Sequence, residues 1–447
     1  MKNKTVSRAL ALSAALALAF GLGGCGVLGG KDKASTPTVG KRVPVLSRIE
    51  SGAKVDPSLA NVAVVLPPAQ TNAEWTQAGG TAGKAAGHVA LSASPTRVWT
   101  ASIAGSSNKR RLAAAPVIGN GTLYAIDTEA VVYALDADTG RTRWTHRLEM
   151  DGNLRSSAFG GGVSFSNGRV YATNGVGEVA ALDAATGAEI WKVKPAGPLR
   201  GAPTLAFNAV FVMTQDNQIH ALSAADGAVL WQESGALGQA GVFGVAAPAA
   251  GQGTVIAGYS SGELVAYRYE NGRTLWSDAL ARTSISTQVG TLTDVDADPI
   301  IDGGRVYALG QGGRMAAYEL VTGQRLWELN LAGISTPAVA GEWIFTLTDD
   351  ARLLAIARSS GKVRWVTQLR RWKDAKDRKG EIFYTGPVLA GDRLWIASSR
   401  GELMWANVSD GTVGTFTDLG NAVSLPPIVA NRTLYVLDDG GKISAYR

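Results

Sequence analysis

The 447-residue sequence predicts an all-β protein, an eight-bladed β-propeller of four-stranded antiparallel blades whose ring is closed by an N-terminal strand. Three observations point there. An eleven-residue motif recurs along the chain at a mean spacing of about 44 residues, within the period of propeller blades. Glycine occurs 55 times, nearly double its usual share of about 7%, and with 16 prolines and no G-X-Y period this means dense turns and not collagen. No eleven-residue stretch of the body shows a convincing helical period. Hydrophobic residues at 46% and charged residues at 18% are enough for a buried core. Length alone, at about 150 residues per domain, suggests roughly three domains. The repeat overrides that with one closed ring.

The first element is a leader. Lys2, Lys4 and Arg8 precede an apolar run over residues 9–22. Such a run is shorter than the roughly 20 residues a membrane span needs, but it suits a signal peptide. It ends in Leu22-Gly23-Gly24-Cys25, and Cys25 is the only cysteine. This resembles a bacterial lipobox, in which the cysteine is diacylated, becomes the first residue after cleavage and is then N-acylated. Several acyl chains, at about 0.8 kcal/mol per buried CH₂, make a stable anchor. Gly26 in place of an aspartate favours the outer membrane. We therefore expect a leader over 1–24, a lipidated N-terminus and flexible tether over 25–70, and a propeller over 71–447. The tether is rich in Gly, Lys, Ser, Thr and Pro; within it Val62 to Leu66 could dock against the body.

The repeats follow in order. Ala134-Leu-Asp-Ala-Asp-Thr-Gly-Arg-Thr-Arg-Trp144 recurs as Ala181-Leu-Asp-Ala-Ala-Thr-Gly-Ala-Glu-Ile-Trp191. Looser copies begin at Ala221, Ala266, Ala317 and Ala355 and end in Trp231, Trp276, Trp327 and Trp365. A degenerate seventh begins at Trp405, with Thr415 and Phe416 where tryptophan is expected. An eighth opens at Ala445 and is cut off at Arg447, and a strand around Trp99 has a tryptophan without a motif before it. Joining the two completes a blade and leaves no open sheet edge. Within each unit two β-prone runs meet at a tight turn. A second turn follows, where Gly140 supplies a positive φ, and the tryptophan then fills the gap between neighbouring sheets.

Charge and motif arithmetic exclude several chemistries. The net charge of +6 falls to about +3 once the leader's three cations are removed, too little over this length to argue for nucleic acid. Two basic clusters remain, at residues 109–111 and 370–380, read either as solvated loops or as contacts for a partner or lipid headgroups. One cysteine and three histidines (His88, His146, His220), none at ligand spacing, argue against a metal centre. Gly258-Tyr-Ser260-Ser-Gly262 fits G-x-S-x-G, but Ser260 falls in a hairpin turn and not between a strand and a helix. Asp294-Val-Asp296-Ala-Asp298 begins like a calcium loop, yet the glycine and glutamate positions are Pro299 and Arg305. Carboxylates so crowded repel unless solvated or paired. A turn before the next strand accounts for them, and a basic partner is the sharper reading.

The repeat resembles the tryptophan-docking motif of propeller quinoprotein dehydrogenases, and a periplasmic quinoprotein-like dehydrogenase is the alternative function. The adjacent cysteine pair found in many of those enzymes is absent. Together the lipobox at Cys25, the Trp75-Thr-Gln-Ala-Gly-Gly80 segment, the docking repeats and Leu292-Thr-Asp-Val-Asp-Ala-Asp-Pro299 resemble the BamB lipoproteins of the outer-membrane β-barrel assembly machinery. That resemblance implies a non-enzymatic, cofactor-free scaffold, anchored in the outer membrane and facing the periplasm. It would bind the POTRA domains of BamA, with unfolded outer-membrane proteins as further candidate partners. It also implies that Leu199, Arg200, Asp294 and Asp296 form the BamA contact, although the family's leucine two positions before Leu199 is Gly197 here. Read as an exposed face, these residues should tolerate Asp294→Ala and Asp296→Ala with little loss of stability.

Overall fold

The computed structural model describes residues 53–150, 157, 159–236, 246–280 and 294–447. The leader, Cys25 and the tether up to residue 52 lie outside the described residues. Among the described residues, eight four-stranded antiparallel sheets form, seven of them running in chain order from inner to outer strand, with one added two-stranded hairpin. Blade 1 shows the pattern, with strands Val117–Gly119, Thr122–Ile126, Val131–Asp136 and Thr142–Arg147. Blades 2 to 7 span residues 163–193, 204–234, 249–279, 300–329, 338–368 and 384–418. Blade 8 takes three strands from residues 428–446, and its outer strand is Arg97–Ser102, paired antiparallel with Lys442–Tyr446.

The tryptophans lock the ring. Each sits on its blade's outer strand opposite the motif's alanine, as in Ala134↔Trp144 and Ala317↔Trp327, so a small residue lies across from each large ring. Each indole N–H donates to a carbonyl in the next blade: Trp144 to Ala184 at 3.0 Å, Trp276 to Leu320 at 2.8 Å and Trp365 to Val408 at 2.9 Å. Trp191, Trp231 and Trp327 bond Ala224, Tyr269 and Arg358 in the same way. Trp99 closes the circle by donating to Ala137 of blade 1 at 3.0 Å. Blade 7 reverses the sizes, with Trp405 facing Gly414 across the strands, and Phe416 meets Tyr446 of blade 8 edge-on at 5.4 Å.

The motif's glycine has two reasons to be glycine. Gly323 has φ +71°, and a Cβ there would lie 2.5 Å from Cγ of Trp276 in the preceding blade. Its hydrogen would be tolerated where a methyl group would collide with the docked ring. The motif's aspartate holds the same turn: Asp136 accepts from the Thr139 amide at 2.9 Å and from its hydroxyl at 2.8 Å.

Residues 53–91 do not behave as a tether alone. Val55 bridges Val363 at the edge of blade 6, while Val64 and Leu66 pack against that blade's core, so the docking expected of residues 62–66 occurs there. The chain then circles the free edges of the inner strands. Asn72 meets blade 8 through Asn431, Trp75 exchanges two bonds with Ile118 of blade 1, and the Thr76 carbonyl accepts from Phe165 of blade 2. Gln77 brackets Leu205 of blade 3, Ala82 and Gly83 accept from Ala250 and Ile301 of blades 4 and 5, and Val89 joins blade 7. Inner strands expose unpaired amides to the channel, and this segment satisfies them. It thereby floors one end of the ring.

Candidate partner-binding site at the mouth of the ring

The other end is the mouth, where each inner strand begins. Here the floor and the mouth loops enclose a cup of ≈ 830 Å³. Trp75, Gly79 and Lys84 form its base, while Pro116, Pro387 and Leu425 line its walls. The walls are largely apolar.

Two mouth loops meet beside this cup. Pro198 to Arg200 extend blade 3 by pairing with its second strand: Leu199 bridges Thr214, and the Arg200 amide donates to the Met213 carbonyl at 2.8 Å. That pairing fixes where the Arg200 side chain goes. Its Nη2 donates to Oδ1 of Asp294 at 2.8 Å and to Oδ1 of Asp296 at 3.1 Å, across 94 and 96 residues of sequence. On the blade 5 side, the Asp294 carbonyl accepts from the Gln311 amide, and the Val295 amide donates to the Tyr259 carbonyl of blade 4. The guanidinium thus ties the mouth loops of blades 3 and 5 together over the intervening blade.

The structure brings Arg200, Asp294 and Asp296 together but does not leave them on the surface. Their residue exposures are 1%, 0% and 8%, and Leu199, at 0%, packs beneath with Val210 and Val212. The basic partner expected for the crowded carboxylates is therefore supplied from within the chain. This corrects the expectation that Asp294 and Asp296 could be truncated together without loss of stability, because the double loss leaves the buried Arg200 guanidinium unpaired, and breaking a buried ion pair typically costs about 3–5 kcal/mol. The group is also unevenly satisfied: among the described residues, Arg200 Nε and Nη1 and Asp294 Oδ2 have no hydrogen-bond partner. Burial, followed by the charge of Asp294, pushes the Asp296 carboxyl up to about 7, against the pull of Arg200. Burial likewise raises Asp349 to about 6, with Asp350 and Glu381 adding to it.

At the place of the family's missing leucine, a Cβ on Gly197 would meet no atom of the described residues within 4 Å. The position is open space beside the loop.

A second acid at the cup, Asp298, is engaged as well. Asp298 accepts from the Ala247 amide at 2.8 Å, and burial raises its pKa while the charge of Lys84 opposes the rise. Lys84, 3% exposed, donates to Thr204 Oγ1 at 2.9 Å, and burial lowers its pKa to about 8. Sequence reasoning missed Lys84 and the floor around it, because the segment has neither strand nor helix period. Ser260 exchanges hydrogen bonds with Asn217 of the neighbouring blade's turn, as suits a hairpin residue. Among the described residues no three His, Cys, Asp or Glu side chains are grouped to hold a metal ion, and no helix is long and apolar enough to cross a membrane.

Comparison with known proteins agrees with this architecture. The profile of the family described as outer membrane protein assembly factor BamB matches residues 85–154 and 129–367. The outer membrane protein assembly factor BamB of Salmonella typhimurium is 31% identical over 77% of this chain and 87% of that protein. The crystal structure of BamB from Moraxella catarrhalis superposes with a TM-score of 0.66 at 19% identity, covering 79% of this chain and 99% of that one. Quinohemoprotein alcohol dehydrogenase from Comamonas testosteroni superposes with a TM-score of 0.67 at 14% identity, covering 88% of this chain and 82% of that one. At those identities the structural matches speak for the propeller fold alone.

Proposed function

Because the chain belongs to the BamB family of outer membrane protein assembly factors, we propose that it is a non-catalytic scaffold lipoprotein that binds the POTRA domains of BamA at the mouth of its ring. In this reading Cys25 is acylated, the anchor lies in the outer membrane and the propeller faces the periplasm. The observation that supports the contact is the Arg200 bridge. A side chain 1% exposed spans two loops from different blades and fixes their relative position. Such a brace suits a surface that must be rigid before its partner arrives, since preorganisation reduces the ordering cost of association. Arg200, Asp294 and Asp296 then act by shaping the loops, while neighbouring groups such as Pro198 and Asp216, both exposed, offer the surface itself.

The cup argues for a scaffold and against a quinone enzyme. Its carboxylates are engaged within the chain, Asp296 with Arg200, Asp298 with the Ala247 amide and Asp439 with the Ser424 amide and hydroxyl. The test is a pull-down of the acylated protein from detergent-solubilised envelopes together with an absorbance spectrum of the eluate. Retention of BamA without quinone absorbance is expected. A stoichiometric quinone with alcohol or sugar oxidation, and no BamA, would overturn the reading.

A further inference from the structure

We propose that the hairpin of Trp372–Asp374 and Lys379–Glu381 is a contact for anionic lipid headgroups that seats blade 6 against the membrane. It rests on the lipid-anchored reading only for where the membrane lies, and it is independent of BamA binding.

The hairpin is a built feature and not a loose loop. Trp372 pairs with Glu381 and Asp374 with Lys379. Asp374 caps the turn by accepting from the amides of Lys376 and Asp377 at 3.0 and 3.1 Å. At the root the Ile382 amide donates to the Arg371 carbonyl at 2.8 Å, Ile382 is 2% exposed, and the Tyr384 hydroxyl donates to the Arg370 carbonyl.

Residues 370–381 hold six basic side chains against three acidic ones, a local excess as large as that expected for the whole mature chain. The acids are engaged: Asp374 in the turn, Glu381 with Arg371 at 3.1 Å, and Asp377 with Lys379 at 3.6 Å. Arg370 is turned back onto the carbonyls of Trp372 and Lys373. That leaves Lys373, Lys376 and Arg378 exposed and without an anionic partner among the described residues. Beside them Trp372 is half-buried under the Arg371 guanidinium at 5.0 Å, and Phe383 is 58% exposed. Unpaired cations next to aromatic rings match the chemistry of a bilayer's headgroup zone.

The course of the amino-terminal chain selects a membrane over a protein as the occupant. Val55 bridges Val363 and Asp56 pairs with Lys362 at 3.2 Å, at the start of blade 6's outer strand Val363–Gln368. The hairpin leaves from the other end of that strand, about 20 Å away. The chain leading from Cys25 therefore joins the body on the same strand as the hairpin. Fully extended, it could reach no further than about 100 Å. Tethering makes headgroup contact effectively intramolecular, so modest intrinsic affinity suffices.

The test uses the whole mature chain made with Cys25→Ser behind an ordinary secretory leader, so that no acyl chain contributes. Co-sedimentation is measured with phosphatidylethanolamine vesicles containing or lacking phosphatidylglycerol. Binding only to the anionic vesicles is expected, weakening with added salt. At about fivefold per cation, the combined Lys373→Gln, Lys376→Gln and Arg378→Gln variant should lose on the order of 100-fold. These side chains are exposed, so an unchanged melting temperature is expected. Equal binding to neutral vesicles, or full binding by the triple variant, would overturn the proposal. So would loss of POTRA affinity in that variant with vesicle binding intact, which would make the patch a protein contact. Acylation of Cys25, measured separately by mass spectrometry, reports on the anchor and not on the hairpin.

Discussion

Replacing Asp296 by asparagine should stabilise the protein most at pH 8, less at pH 5 and hardly at all below about pH 4. In the folded state this carboxyl is pushed from an ordinary 3.8 to about 7, by burial first and then by the charge of Asp294. A folded-state pKa above the unfolded one gives stability that is fully present below about 3.8 and is lost as pH rises through about 7. About three pKa units at roughly 1.4 kcal/mol each come to on the order of 4 kcal/mol lost by pH 8. Water reaching Asp296 from the cup it lines would screen part of that, so the figure is an upper bound. Asparagine keeps the shape without the charge, and the single pair Arg200–Asp294 is left balanced. Urea denaturation at pH 5 and pH 8, read by linear extrapolation, measures the difference. Parent stability should fall towards pH 8, with the rise in Asp349 acting in the same direction, and the variant should show a shallower slope. A variant less stable than its parent at pH 8 would refute the reasoning, because it would mean that Arg200 holds Asp296 as a favourable anion.

Other outcomes follow from the packing. Gly323→Ala should cost several times more than Gly121→Ala in thermal denaturation: both glycines have positive φ, a strain of about 1–2 kcal/mol for alanine, but only the first Cβ meets a ring. Deleting residues 26–52 should leave the melting temperature almost unchanged. Deleting through residue 101 removes Trp99, its bond to Ala137 and the outer strand of blade 8, and should cost at least the ~3–5 kcal/mol of a core Trp→Ala change; equal melting of the two truncations would contradict the closure. Cys25→Ala should release the protein from outer-membrane fractions in cells whose BamA has lost its POTRA binding surface.

The fold was legible because its signal is local. An alanine, an aspartate, a glycine and a tryptophan within eleven residues specify two strands and the turn between them, and this recurs. What each motif glycine meets was not legible, since Gly323 touches a tryptophan 47 residues earlier in the chain. The seventh repeat looked degenerate because Trp405 and Gly414 exchange the large and small positions across the strands. The floor over residues 70–91 escaped notice because its role lies in carbonyls and amides aimed at seven different blades, which leaves no side-chain period. Ring topology placed Arg200, Asp294 and Asp296 on one side of the molecule. Their burial was hidden because charged residues are rarely buried unless paired, and the partner lay 94 residues away.

The central claim is that the buried Arg200 bridge holds the mouth loops in the form that BamA recognises. Calorimetric titration of POTRA domains into the mature chain and into its Arg200→Met variant tests it most directly, at a temperature where circular dichroism shows both to be folded. We predict that the variant binds at least about 30-fold more weakly, the lower end of the roughly 2–5 kcal/mol attached to a broken buried charge pair, while Lys376→Ala binds like the parent. A folded Arg200→Met protein that binds as tightly as the parent would contradict the account.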